Sequence, residues 1–125
     1  MLKYFWILSA VAYTALLTTA SLINLRGLPS IKISFADKIF HFSAYFVLTI
    51  LWVLAFFYNF NYKKTKALKY VFIISVSFGI FIEVLQGALT TVRSFDIYDM
   101  MANTLGALLA VVALSFYNFK NIKKL

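Results

Sequence analysis

The chain has 125 residues, 63% of them hydrophobic and only 13% charged, with a formal net charge of +8. Soluble domains carry about 45–50% apolar and roughly 25% charged residues, so a water-soluble fold is excluded and a bilayer is the expected solvent. With no cysteine, one histidine and four acids, disulfide frameworks, thiol nucleophiles and thiolate metal sites are excluded too.

A helix needs about 20 apolar residues to cross the hydrocarbon core, and continuous apolar windows of that size predict four, over residues 4–22, 39–58, 70–89 and 97–119. The first follows Lys3 and has a second reading as a cleaved signal peptide, with Thr18-Thr19-Ala20 as a loose small-residue site. Its apolar run outlasts the 7–15 residues of a signal-peptide core, so a retained helix is expected. A break with Asn24, Arg26, Gly27, Pro29, Ser30 and Lys32 leads to the second span. A lysine-rich break (Asn59, Asn61, Lys63, Lys64, Lys66, Lys69) leads to the third, and residues 90–94 lead to the fourth. Loops this short hold no second domain, so residues 1–125 are expected to form one all-α, membrane-embedded unit. A β-barrel would need many segments of about 10 residues alternating apolar and polar, and the apolar runs here are unbroken.

Lysine and arginine are retained on the cytoplasmic side of a bilayer. Eight of the 12 fall on one side of the four spans (Lys3, Lys63, Lys64, Lys66, Lys69, Lys120, Lys123, Lys124) and four on the other (Arg26, Lys32, Lys38, Arg93). Both termini are therefore expected in the cytoplasm. The basic face is read as meeting anionic lipid headgroups rather than nucleic acid. Tyr4, Trp6, Tyr58, Tyr62, Tyr70 and Tyr117 lie near the basic ends of the spans, where interfacial aromatics belong.

All four acids lie toward the opposite side. Asp37 and His41 open the second span, Glu83 and Gln86 lie near the end of the third, and Asp96, Asp99 and Asn103 open the fourth after Arg93. At about 1.5 Å rise and 100° per residue, each set occupies one stripe of its helix and reaches about 6–10 Å below the surface. An acid near a helix centre costs about 2.5–3.5 kcal/mol on insertion scales, so the stripes are expected to turn toward one another. The result would be a polar pocket open to the non-cytoplasmic side, with Tyr45 as its floor and Gly79, Gly87 and Gly106 allowing close helix approach. Asp37, Asp96, Asp99, Asp37's neighbour Ser34, His41, Gln86 and Asn103 also have structural readings, as helix caps or interhelical hydrogen bonds. Glu83, inside the apolar run from Phe78 to Leu85, has neither capping nor snorkelling open to it, and points most directly to function.

No phosphate-cradling glycine loop, GxSxG elbow or HExxH motif is present. A divalent metal has possible ligands in His41 and the carboxylates, but their spacing is not that of a known metal motif, and neither a metal nor another cofactor is expected. Acid-base work by Glu83 or His41 is chemically open. A weak internal repeat sets Ser34-Phe35 and Asp37-x3-His41 beside Ser94-Phe95 and Asp99-x3-Asn103, as a duplicated hairpin would.

Three blocks taken together resemble the VanZ-like family: Asp37-Lys38-Ile39-Phe40-His41-Phe42 with Tyr45; residues 79–86, reading Gly-Ile-Phe-Ile-Glu-Val-Leu-Gln; and Arg93-Ser94-Phe95-Asp96-Ile97-Tyr98-Asp99 with Asn103 and Gly106. The resemblance covers about residues 37–110, and it rests on the combination and order of the blocks. It implies a small multi-pass protein of the bacterial cytoplasmic membrane, similar to one associated with teicoplanin resistance, and assigns no mechanism. Three functions are then open. The first is capture of a lipid headgroup or lipid-linked cell-wall precursor in the outward pocket, by Asp37, His41, Glu83, Gln86, Arg93, Asp96, Asp99 and Asn103. The second is an enzyme acting on a lipid-linked or phosphorylated substrate, with Glu83 or His41 as acid-base and Arg93 on phosphate. The third is passage of a small solute or proton through protonation of Glu83.

Overall fold

The structure, a computed structural model, describes residues 4–22, 35–89 and 97–117. Four helices account for nearly all of them: α1 (Phe5–Leu22), α2 (Phe35–Tyr58), α3 (Lys64–Leu89) and α4 (Ile97–Ser115). There is no strand among the described residues. At 18, 24, 26 and 19 residues and about 1.5 Å per residue, each reaches about 27 Å or more, close to the roughly 30 Å hydrocarbon core. All four are apolar enough to cross it, with window hydropathies between 1.6 and 2.0.

The distribution of side chains is inverted relative to a soluble bundle. Leu8, Leu16, Ile73, Phe81, Leu105 and Leu109 are exposed, whereas Thr49, Ser75, Glu83, Gln86, Asp99 and Asn103 are buried. Such a molecule is stable only where its outer surface meets hydrocarbon. This is a multi-pass membrane protein.

Hydrogen bonds at the helix ends establish an up-down-up-down order. At one end, the Ile7 N–H of α1 donates to Asn59 Oδ1 beyond α2 at 3.0 Å, and Lys64 Nζ at the start of α3 donates to the Ser115 and Tyr117 carbonyls at 3.0 and 2.8 Å. These bonds supply a free N-terminal donor of α1 and the free C-terminal acceptors of α4, the latter with the favourable sign of charge. The α2–α3 turn is made by Asn61 at a φ of 60°, the left-handed conformation that asparagine tolerates better than most residues, and the Tyr62 N–H returns to the Phe56 carbonyl. Rings of Phe56, Phe60, Tyr62 and Tyr70 pack in sequence beside it. At the other end, Gln86 Nε2 of α3 donates to the Ser21 carbonyl of α1 at 2.8 Å, and the starts of α2 and α4 face each other.

In lipid, helices associate through close packing and interhelical hydrogen bonds rather than through hydrophobic burial, and both are visible. The most extensive interface is α2 on α4, while α1 touches α2 and α3 and has no contact with α4 among the described residues. Gly106, Ala107 and Ala110 form a buried small-residue face on α4. A Cβ on Gly106 would lie 2.2 Å from the Phe42 carbonyl oxygen, so the backbones of α2 and α4 touch there. Gly79 admits Tyr45 and Asn103 side by side, with contacts of 3.2 and 3.3 Å to an added Cβ. Gly87, by contrast, is exposed and supports no such approach. On the α1 side, Tyr13 donates to the Ala44 carbonyl and Trp52 Nε1 to Thr14 Oγ1, both at 2.8 Å.

Three helix boundaries differ from those expected, the fourth helix ending at Ser115 rather than at residue 119. The third helix starts at Lys64, not near residue 70, because lysine is a good helix former whose charged tip can reach the headgroups while its stem stays in the helix. The second starts four residues before 39, which brings Asp37 and Lys38 into its first turn.

Candidate functional site

The residues that α2, α3 and α4 turn toward the site each follow helical spacing. On α2, Lys38, His41, Tyr45 and Thr49 are separated by three, four and four residues and descend about 16 Å along one face. Gly79, Glu83 and Gln86 on α3 and Asp99, Asn103 and Gly106 on α4 are similarly placed. Below Tyr45 the polar column ends in the Thr49 Oγ1–Ser75 Oγ hydrogen bond of 3.1 Å. Beyond it lies an apolar cluster of Val53, Leu54, Ala67, Leu68, Val71 and Leu114.

Near the other end, three helices bring one polar group each to a common point. His41, Glu83 and Asp99 are 6%, 1% and 1% exposed, and each places a potential ligand atom within 4.8 Å of the other two. His41 is held on both ring nitrogens. Nδ1 meets Asn103 Oδ1 at 3.1 Å, and Nε2 lies 3.4 Å from Asp99 Oδ2. The other oxygen of Asp99 pairs with Lys38 Nζ at 2.5 Å. With its side chain about a quarter exposed, Lys38 links the buried acid to the surface of the bundle. Tyr45, 2% exposed, packs where Gly79 and Asn103 meet, within electrostatic reach of Glu83. Its hydroxyl has no hydrogen-bond partner among the described residues.

Of the residues expected in the pocket, His41, Glu83, Asp99 and Asn103 come together. Gln86 is equally buried, but its amide donates to the Ser21 carbonyl of α1. A three-residue offset separates Glu83 and Gln86 by about 60° around the helix, enough for them to serve different neighbours. Asp37 lies in the first turn of α2, and its side chain, like Arg93 and Asp96, lies outside the described residues. Sequence reasoning placed Lys38 on the same side of the bilayer as the four acids but did not include it in the site. The available signal was its three-residue offset from His41, which puts both on one helical face.

The fold and its buried polar cluster define a class: a polytopic helical membrane protein with an ionisable site sunk beneath one end of the bundle. The chain belongs to the VanZ/LLP1 family, whose model matches residues 2–118. It is also similar to an uncharacterized protein of Schizosaccharomyces pombe, 28% identical over 97 residues that make up 78% of this chain and 57% of that protein. The chain thus spans a little over half the length of this curated relative. No solved structure matches.

Proposed function

We propose that the protein captures the phosphate-bearing headgroup of a membrane lipid, or of a lipid-linked envelope precursor, in the site formed by Lys38, His41, Glu83, Asp99 and Asn103. One observation carries the reading: ionisable groups from three helices meet inside a wall of lipid-facing apolar side chains. A lipid held by its tail in the surrounding bilayer meets such a site from the side that Lys38 opens. Burying these groups against hydrocarbon has a free-energy cost, which a binding function explains and a purely structural bundle does not. Arg93 and Asp96 remain candidate rim residues of this reading. Capture of a cell-wall precursor would alter glycopeptide access, so a resistance phenotype stands or falls with the identity of the ligand.

Native mass spectrometry of the protein purified in mild detergent tests this. Wild type is expected to retain a phosphate-bearing lipid, and Glu83→Gln, which keeps shape and removes ionisation, is expected to lose at least tenfold of that occupancy at unchanged helicity. Equal occupancy in the two proteins would remove Glu83 from the site.

A second reading has its own support. His41, steered at Nδ1 by Asn103 and facing Asp99 with Nε2, has the arrangement of an oriented acid-base imidazole. Cleavage of the bound lipid's phosphoester by water would then follow capture. Release of water-soluble phosphate from vesicles containing the protein, absent with His41→Ala, would establish it. The apolar cluster beyond Thr49 and Ser75 supports a single-ended pocket over a path across the bilayer.

The site-bearing end is assigned to the non-cytoplasmic face, and both termini with the lysine-rich α2–α3 turn to the cytoplasm, on the charge asymmetry alone. In a bacterial cytoplasmic membrane, a cytosol-active reporter fused within residues 63–66 is expected to be active and a periplasm-active one silent. The reverse pattern would invert the assignment.

A further inference from the structure

We propose that His41, Glu83 and Asp99 form a binding site for one divalent transition-metal ion, held by His41 Nε2 and one carboxylate oxygen from each acid. The proposal deepens the headgroup reading: the ion supplies the charge that a lipid phosphate meets, and that part rests on phosphate capture being correct. The metal site itself stands on three observations.

The first is the geometry of the donors. Ligand atoms about 2.1 Å from a shared ion lie about 3–4 Å apart. His41 Nε2 and Asp99 Oδ2 are already 3.4 Å apart, and all three groups have ligand atoms within 4.8 Å of one another. One imidazole with two carboxylates suits manganese, iron, cobalt or zinc, and leaves coordination positions for water or a phosphate oxygen.

The second is the set of partners that hold the ligand groups. His41 Nδ1 faces Asn103 Oδ1, an acceptor, at 3.1 Å, a contact that fits the tautomer in which Nδ1 donates and Nε2 is open to an ion. In the neutral imidazole, Nε2 then presents a lone pair toward a carboxylate oxygen, an arrangement that a cation between them makes favourable. Histidine ligands commonly donate their remote N–H to a fixed acceptor, which orients the ring and raises its basicity. Lys38 does the matching service for Asp99, engaging Oδ1 and leaving Oδ2 toward His41.

The third is the Tyr45 hydroxyl, buried beside the cluster with no hydrogen-bond partner among the described residues. Such a group is uncommon in folded proteins. A water or phosphate oxygen bound to the metal would give it a partner.

The test uses the full chain in detergent, stripped with EDTA and titrated with Mn²⁺ while the free-ion signal is followed by electron paramagnetic resonance, with Zn²⁺ as competitor. Saturation at one Mn²⁺ per chain, displaced by Zn²⁺, is expected. Glu83→Gln and His41→Ala should weaken binding at least tenfold, and Asn103→Ala about 10–100-fold through the remote nitrogen of His41. Lys64→Ala, at the other end of the bundle, should bind as wild type does. Circular dichroism confirms that each variant is folded. The absence of saturable binding to the wild type, or equal binding by wild type, Glu83→Gln and His41→Ala, overturns the site. Lipid retention is measured in parallel with and without EDTA. If Mn²⁺ binds but EDTA leaves lipid occupancy unchanged, the ion's part in holding phosphate is overturned while headgroup capture stands.

Discussion

Replacing Gly106 by alanine is expected to unseat α4 from α2. The added Cβ would meet the Phe42 carbonyl oxygen at 2.2 Å, with the Phe42 carbonyl carbon and the Phe46 nitrogen at 3.1 Å. All three are backbone atoms, so no rotamer change relieves the clash and the helices must move apart. Overpacking costs about 1–3 kcal/mol where side chains give way, and the upper end is the appropriate figure here. The interface lost is the most extensive in the bundle, and it carries His41 opposite Asn103 and Asp99. Thermal unfolding in detergent should therefore show a lowered midpoint together with weakened ligand retention. Gly79→Ala provides the contrast. Its nearest obstacles are the Tyr45 ring and the Asn103 side chain at 3.2–3.3 Å, which can shift by a few tenths of an ångström, so a smaller loss of stability is expected. Unfolding of Gly106→Ala at the wild-type midpoint would show that α2 and α4 do not touch at Phe42.

The second large effect concerns the pair between Lys38 and Asp99. Asp99 is nearly fully buried and Lys38 about a quarter exposed. Removing one partner of a buried pair costs about 3–5 kcal/mol because a charge is left behind. The lysine can withdraw part of the way toward the headgroups, which brings the expectation for Asp99→Asn to about 2 kcal/mol. The decisive measurement is a double-mutant cycle with Lys38→Met. If the ion pair is the cause, Asp99→Asn with Lys38→Met should recover most of the stability lost in Asp99→Asn alone, with a coupling of about 1–2 kcal/mol by equilibrium unfolding. Additive losses would show that Asp99 acts through His41 instead.

The solvent and the four helices were legible in composition and in unbroken apolar runs, because lipid imposes a length and polarity requirement that local sequence alone can satisfy. The inward stripes were legible for the same reason: offsets of three and four residues confine His41 and Tyr45, or Asp99 and Asn103, to one face wherever the helix packs. What sequence could not supply was the rotation of each helix about its own axis. Glu83 and Gln86 share a stripe, yet one turns to His41 and Asp99 and the other to Ser21. The convergence of His41, Glu83 and Asp99 was legible as facing stripes, whereas their spacing as a possible ligand set was not. Metal motifs are recognised by short spacing within one segment, and here each group comes from a different helix, 42 and then 16 residues apart along the chain. The start of α3 was hidden because Lys64, Lys66 and Lys69 read equally well as a polar turn and as the snorkelling first turns of a helix.

Distributing the three groups over α2, α3 and α4 also governs biogenesis. As the chain leaves the ribosome, His41 enters the bilayer two helices ahead of Asp99, and Glu83 follows it one helix later. No nascent intermediate short of α4 contains the complete triad. Arrival of α4, guided to α2 by the contact between Gly106 and Phe42, is the assembly step that brings the site into being.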